Sequence, residues 1–190
     1  MGAPNPRFLA LVASWGIAAG VAGSFHAMAR VPPQAVPLVI AGATAAFTAG
    51  VLRPGSLREG MDSLGPRGIL AAHLARFVGL YFIWLHARGR LPAEFAERAG
   101  WGDVVAASGA AVLLHLLGTR GFPLALRAWN WIGLADLVVA VGTATWLSNT
   151  RPGSMAELAA LPLALIPLWI VPMLVASHIY LLRAAGERPT

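Results

Sequence analysis

Apolar residues run through this chain in six long stretches, separated by short segments rich in charge, proline and glycine. The stretches cover residues 8–29, 36–52, 68–86, 101–119, 128–147 and 158–182. A helix needs about 20 residues to cross the hydrocarbon core of a bilayer, so the second stretch is slightly short and the others are long enough. The pattern predicts an all-α integral membrane protein, with residues 1–190 forming one membrane domain built as a bundle of six transmembrane helices.

The first stretch allows an alternative interpretation. Arg7, the apolar run after it and the segment Ala27-Met28-Ala29 resemble a secretory signal peptide with an A-x-A cleavage site. The apolar run is long for that role. If residues 1–29 were removed as a signal, five spans would remain.

Arginines between the spans predict the orientation. With the N-terminus inside, eight lie in inner segments and five in outer segments. The inner set is Arg7, Arg53, Arg58, Arg67, Arg120, Arg127, Arg183 and Arg188, and the outer set is Arg30, Arg88, Arg90, Arg98 and Arg151. Because cytoplasmic loops carry an excess of basic residues, both termini are expected in the cytoplasm.

Composition narrows the class of protein further. The chain is 57% hydrophobic and 12% charged, whereas soluble domains average about 25% charged. All basic residues are Arg and none is Lys, which with the abundant Ala, Gly and Pro is typical of a GC-rich bacterial genome. We therefore expect a multi-pass protein of the bacterial inner membrane.

The same composition limits the partners and the chemistry. The net charge of +6 is scattered over loops rather than gathered in a basic stripe, so the expected partner is the lipid bilayer and not nucleic acid. A homo-oligomer or a partner in a membrane complex is left open. There is no Cys, and no G-x-S-x-G, Walker or H-E-x-x-H motif occurs, which favours a protein that is not an enzyme without deciding the matter.

Two residues of opposite charge lie near the middles of apolar spans. Arg76 is in residues 68–86 and Asp136 in residues 128–147. Ionisable groups inside a membrane are costly and face a partner or a cavity, so we predict that these two pair at mid-membrane. His73 lies one turn before Arg76 on nearly the same helix face, and Tyr81 is a candidate to extend the polar set. A pair that only fixes the helix arrangement is the alternative.

Two further polar residues are candidate binding residues. Asp103 opens the predicted fourth span, where it suits a helix N-terminus or an outer entrance shared with His26 and His86. Asn130 lies between Trp129 and Trp131, which predicts an interfacial or helix-start position.

The five histidines are candidate metal ligands. They are His26, His73, His86, His115 and His178, and all lie in spans or at span ends. Pairs of histidines on different helices can hold a six-coordinate haem iron, and His73 with His115 or His178 is the pair that shares a depth. No cofactor is required by the sequence; haem b is an alternative, and a zinc site lacks any supporting spacing.

Two segments carry a resemblance. One runs from Leu91 to Asp103 with the pattern LPxxFAxxAGxGD, and the other from Trp129 to Leu137 with the pattern WNxxGxxDL. Together they resemble a group of uncharacterised bacterial multi-pass membrane proteins. The resemblance implies a helical membrane fold and carries over no activity and no cofactor.

Three functions follow from these residues. The first is a membrane protein that binds or conducts a small ionic or polar species at a site made by Arg76, Asp136 and His73. The second is a membrane redox protein with haem b held between helices. The third is a structural or assembly subunit whose polar residues only set the packing. A water-filled cavity that reaches Arg76 would favour the first over the third.

Overall fold

The computed structural model describes residues 5–32 and 34–186, and these residues form helices joined by turns, with no strand among them. Six helices account for most of this part of the chain. They are α1 (Pro6–Ser24), α2 (Val36–Leu52), α3 (Ser56–Ala87), α4 (Ala93–Leu116), α5 (Phe122–Thr150) and α6 (Ile166–Ala184). A short helix, Ala27–Arg30, follows α1, and a 3-10 turn, Ala156–Ala159, follows α5.

Five of the six helices are long and apolar enough to cross a membrane, and α2, with 17 residues, is shorter. The predicted all-α membrane bundle is confirmed. Arg188, which was counted among the inner arginines, lies outside the described residues.

Helix α3 is broken near its start, and this break sets where it enters the bundle. Gly65 has a φ of 58°, in the left-handed region that favours glycine, and Pro66 follows it. The residues before the break include Arg58 and Asp62 on one face, joined as an i,i+4 ion pair at 3.9 Å. The apolar part of α3 therefore begins at Pro66, close to the predicted start at residue 68.

Three helices depart in part from α-helical geometry, and α6 does so in its first residues, Ile166–Ile170, which form a π turn. In α3 the segment Leu74–Val78 is a 3-10 turn, and in α4 the segment Ala96–Gly100 is a π turn. Such irregular turns change the direction in which the following side chains point, and they often occur at functional sites. Arg76 lies in the 3-10 turn of α3, and Asp103 follows the π turn of α4 by one turn.

Apolar side chains form two core clusters, one toward each end of the bundle. Toward the end where α1 begins, the core contains Phe47, Val51, Leu70, Leu113 and Leu126. Toward the opposite end, the core contains Phe82, Leu85, Phe95, Ala99 and Leu147. Helices α3, α4 and α5 each contribute side chains to both clusters. Along these helices Arg76, Asp103 and Asp136 lie between the residues of one cluster and those of the other.

Several helix ends differ from the predicted span boundaries, and two of these differences have a cause in the backbone. The fourth helix begins at Ala93 rather than residue 101, because Pro92 starts a helical turn that continues through the π turn into Trp101. The last helix begins at Ile166 rather than residue 158. Pro162 and Pro167 lack the N–H groups that helical hydrogen bonds require, and the chain before Ile166 forms turns instead.

Candidate functional site

Arg76 is the centre of a buried charged triad. Its side chain is 1% exposed, and its Nε donates to Oδ1 of Asp103 at 2.7 Å. Its Nη2 donates to Oδ2 of Asp136, and its Nη1 donates to the carbonyl oxygen of Gly133 at 3.3 Å. The predicted pairing of Arg76 with Asp136 is confirmed. The second carboxylate was not predicted as a partner of Arg76.

Small residues allow these helices to come close enough for the triad to form. A β-carbon on Gly100 would lie 2.9 Å from the carbonyl oxygen of Gly79, and one on Gly79 would lie 2.8 Å from Cβ of Asp103. Helix backbones in a membrane approach closely where glycines face each other. On the other side, Gly102 leaves room for the carboxylate of Asp136, whose atoms occupy the place of a side chain there.

The expected place of Asp103 at a helix N-terminus was therefore wrong. Because α4 begins at Ala93, Asp103 lies well inside the helix and points into the bundle toward Arg76. Its side chain is 13% exposed and that of Asp136 is 11% exposed. Both carboxylates are largely enclosed by protein.

A second polar cluster adjoins the triad on the side where α1 begins. The rings of His73, Trp129 and His178 lie within 4.5–4.8 Å of one another, centroid to centroid. Nε2 of His73 contacts Oγ of Ser177 at 2.8 Å, and Nδ1 of His178 contacts Oδ1 of Asn130 at 2.6 Å. Both histidines are fully buried.

Asn130 belongs to this cluster and not to an interface, so its expected position was wrong. Its side chain is buried, and the neighbouring Trp129 is buried as well, donating from Nε1 to the carbonyl oxygen of Ala106 at 2.8 Å. Trp131, by contrast, is 62% exposed. Only one of the two tryptophans that suggested an interface faces outward.

The remaining predicted residues lie away from the triad. Tyr81 is 38% exposed and stacks on Trp84 with ring centroids 5.2 Å apart, so it does not extend the polar set. His115 is exposed and contacts the carbonyl oxygen of Ala111 with Nδ1 at 2.9 Å. His26 is exposed in the link after α1, and His86 contacts the carbonyl oxygen of Leu91 with Nδ1 at 3.1 Å.

The histidine geometry does not fit a haem held between His73 and His178. Two imidazoles on opposite sides of one iron, each at about 2 Å from the metal, have ring centroids roughly 6 Å apart. Here the centroids are 4.5 Å apart and Nε2 of His73 is engaged by Ser177. His115 is on the exposed face of α4 and does not join them. Within residues 5–32 and 34–186, no group of three or more His, Asp or Glu side chains is arranged to hold a metal ion.

Two neighbouring apolar cavities lie between the triad and the end of the bundle opposite the start of α1. The larger part, about 250 Å³, lies beside the connection between α5 and α6, and a smaller part, about 70 Å³, has Arg76 and Asp103 in its wall. Five residues line both parts: Ile40, Val141, Ala144, Leu158 and Pro167. The two parts adjoin, and Asp103 is the carboxylate that lines the inner one.

At the end of the bundle opposite the start of α1, ion pairs join the α3–α4 connection and the start of α4 to the α5–α6 connection. Arg90 binds Glu157 with two hydrogen bonds, from Nε at 2.8 Å and from Nη2 at 2.7 Å. Arg151 contacts Glu94 at 2.7 Å. Two of the five arginines that were assigned to the outer side therefore have acidic partners.

A family model described as Domain of unknown function (DUF8737) matches residues 33–185. The chain belongs to this family. The matched range includes α2 to α6 and so the whole triad and histidine cluster, whereas α1 precedes it. No curated protein and no solved structure matches the chain. The membership agrees with the resemblance to uncharacterised membrane proteins, and the function has to be argued from the site.

Proposed function

We propose that this chain is a small bacterial inner-membrane protein that binds and conducts a small cation, in the simplest case a proton. The site is the triad of Arg76, Asp103 and Asp136 at mid-membrane, with His73 beside it. The triad contains one positive and two negative side chains. An uncompensated charge in a low-dielectric interior is very costly. The excess negative charge is best compensated by a proton on a carboxyl group or by a bound cation.

The depth of the triad supports this function. Arg76 lies midway between Pro66 and Ala87, and Asp136 is the midpoint of α5. Ionisable groups placed at the centre of a membrane protein commonly mark the paths of ions and protons. A purely structural ion pair would be balanced by one carboxylate, and the second carboxylate is the observation that favours a cation site.

Access to the triad supports conduction as well as binding. The cavity beside the α5–α6 connection adjoins the smaller cavity whose wall includes Arg76 and Asp103. In the proposed orientation this cavity opens toward the outer side, because the excess of loop arginines is at the end where α1 begins. A cation from that side would meet Asp103 first and Asp136 behind it.

Proton flux into liposomes tests the proposal. The purified protein is reconstituted around a pH-sensitive dye, and a potassium diffusion potential drives protons inward. We expect flux with the wild type, none with Asp136→Asn and much less with Asp103→Asn. Glu97→Gln is the matched control, since Glu97 is an exposed acid on the same helix as Asp103.

The outcome separates this function from a structural role. If the folded wild type conducts neither protons nor any monovalent cation, and both aspartate variants support normal assembly, the triad serves packing and the protein is a structural or assembly subunit. If a monovalent metal ion is carried while protons are not, the site is a cation site of another selectivity.

A further inference from the structure

The smaller of the two cavities, called the inner cavity here, has aromatic as well as charged groups in its wall. Phe82 of α3 and Phe95 of α4 line the same cavity as Asp103. The two phenyl rings lie 5.3 Å apart, centroid to centroid, at an angle of 56°. Aromatic rings attract cations, and proteins commonly bind quaternary ammonium groups among such rings. The inner cavity therefore combines the two kinds of group that bind an organic ammonium ion, a carboxylate and aromatic rings.

The charge beside the inner cavity is negative. The guanidinium of Arg76 is already engaged by three partners. They are the carboxylates of Asp103 and Asp136 and the carbonyl oxygen of Gly133. One positive charge is thus shared by two carboxylates, and one negative charge is left uncompensated when both are ionised. Because Asp103 is the carboxylate in the cavity wall, a cation in the inner cavity lies beside the excess negative charge.

The larger cavity, called the outer cavity here, is unsuited to metal ions. Among the described residues that line it, only Thr145 and Ser148 carry a polar side chain. Both hydroxyls donate within α5, to the carbonyl oxygens of Val141 and Ala144, each at 2.8 Å. Hard metal ions need several oxygen ligands to replace their hydration water, and two hydroxyls are too few. An apolar group, by contrast, gains free energy when it leaves water for such a surface.

The two adjoining cavities match the two parts of one kind of molecule. We propose that the site binds a quaternary ammonium compound that carries an apolar group. Its ammonium group lies in the inner cavity beside Asp103, Phe82 and Phe95, and its apolar group fills the outer cavity. The proposal rests on the cation site of the proposed function and names an organic cation as its substrate class. Binding of this cation does not require that the protein conducts protons.

A single cysteine in the cavity wall reports binding. Ala144→Cys is suitable because Ala144 lines both cavities and the chain has no other cysteine. The purified variant in micelles is treated with methyl methanethiosulfonate, which is small and uncharged, and modification is followed by intact mass. Benzyltrimethylammonium is the probe. Neopentylbenzene, with a carbon in place of the ammonium nitrogen, is its uncharged analogue of the same shape.

The expected result is protection by the cation at one position only. Benzyltrimethylammonium should slow the modification of Ala144→Cys several-fold. It should leave Gly142→Cys unaffected, since a side chain at Gly142 meets nothing within 4 Å. Neopentylbenzene at the same free concentration should protect much less. With Asp103→Asn added to Ala144→Cys, the cation should protect no better than its analogue, because the negative charge in the cavity wall is gone.

The aromatic part of the site is tested by Phe82→Leu in the Ala144→Cys protein. The concentration of benzyltrimethylammonium that gives half protection should rise on the order of tenfold, as expected for the loss of a cation–π contact in a desolvated site. Phe77→Leu is the matched control, since Phe77 lies on the same helix and is 40% exposed. It should leave the half-protecting concentration unchanged.

Equal protection by the cation and its uncharged analogue in folded Ala144→Cys, or protection by neither, would overturn the proposal. This comparison does not depend on whether the aspartate or phenylalanine variants fold. Protection by the cation in a protein that conducts no protons would exclude the proposed conduction and keep the ammonium site. Proton flux without protection would exclude the ammonium site and leave the proposed conduction intact.

Discussion

Arg76 and Asp103, on two different helices, meet in a hydrogen bond of 2.7 Å between Nε and Oδ1. The contact exists because α3 and α4 cross where Gly79 faces Gly100, so that no side chain separates the two backbones. In α3, the 3-10 turn that contains Arg76 ends directly before Gly79. In α4, the π turn before Asp103 ends at Gly100. The close glycine contact and the two irregular turns therefore occur together where the second carboxylate meets the guanidinium.

Removing the guanidinium should cost more stability than removing either carboxylate. Arg76→Gln leaves two buried carboxylates without a cation, and the loss of one partner of a buried ion pair typically costs about 3–5 kcal/mol. Asp136→Asn leaves Arg76 balanced by Asp103, so we expect a clearly smaller loss. The measurement is the free energy of unfolding in mixed micelles, followed by far-ultraviolet circular dichroism.

A double substitution checks that this cost comes from the charges. Arg76→Gln combined with Asp136→Asn should lose less than the sum of the two single variants, because the second change removes a carboxylate that the first left unpaired. Equal losses for Arg76→Gln and Asp136→Asn, with a strictly additive double variant, would contradict a triad that is held together by charge.

Much of the triad was predictable from the sequence, and the missing part has a physical cause. Arg76 and Asp136 share a depth in their spans, so their pairing could be predicted. Asp103 could not be joined to them while α4 was taken to begin at residue 101, since that boundary placed it at a helix end. Pro92 followed by Glu94 is a helix-start signal that would have moved the boundary.

The position of Asn130 was wrong because its two tryptophan neighbours were treated alike. Residues two apart on a helix point about 200° apart, so Trp129 and Trp131 cannot both face the membrane interface. One of them has to point inward, and Trp129 is the one that is buried. Applying the helical period to the sequence would have shown that one tryptophan of the pair faces the core, though not which one. The contact of His178 with Asn130 depends on tertiary packing and had no sequence signal.

The attachment of α1 to α3 should depend on Gly60. The ring of Phe8 occupies the space where a side chain on Gly60 would be, so Gly60→Ala forces the two helices apart. Overpacking of this kind typically costs about 1–3 kcal/mol. Gly20→Ala is the matched control, because a β-carbon at Gly20 of α1 meets nothing within 4 Å. Thermal unfolding in detergent measures both, and an unchanged midpoint for Gly60→Ala would contradict the described packing.

The orientation can be tested without any background labelling, because the chain has no cysteine. With both termini in the cytoplasm, Arg88→Cys should react with a membrane-impermeant maleimide in intact cells and Arg120→Cys should not. Both residues are exposed, so both should react once the membrane is permeabilised. The reverse labelling pattern in intact cells would invert the proposed orientation and the side from which the cavity opens.

Access to the triad should pass by Ala144, which lines both parts of the cavity. The probe is Asp103→Cys, which leaves Arg76 paired with Asp136 and places the only thiol of the chain in the wall of the inner cavity. A small cationic methanethiosulfonate reagent added from outside should modify this cysteine. Adding Ala144→Leu fills the cavity with apolar atoms, so modification should slow strongly while the free energy of unfolding falls little.

The control is Gly142→Leu in the same helix, since a side chain at Gly142 points into open space rather than the cavity. It adds an even larger apolar group to α5 and should leave the modification rate unchanged. As single substitutions in a chain that keeps Asp103, Ala144→Leu should reduce proton flux and Gly142→Leu should not. Equal modification rates for the two leucine variants would mean that Asp103 is reached by a different route, and the cavity beside the α5–α6 connection would not be the entrance to the site.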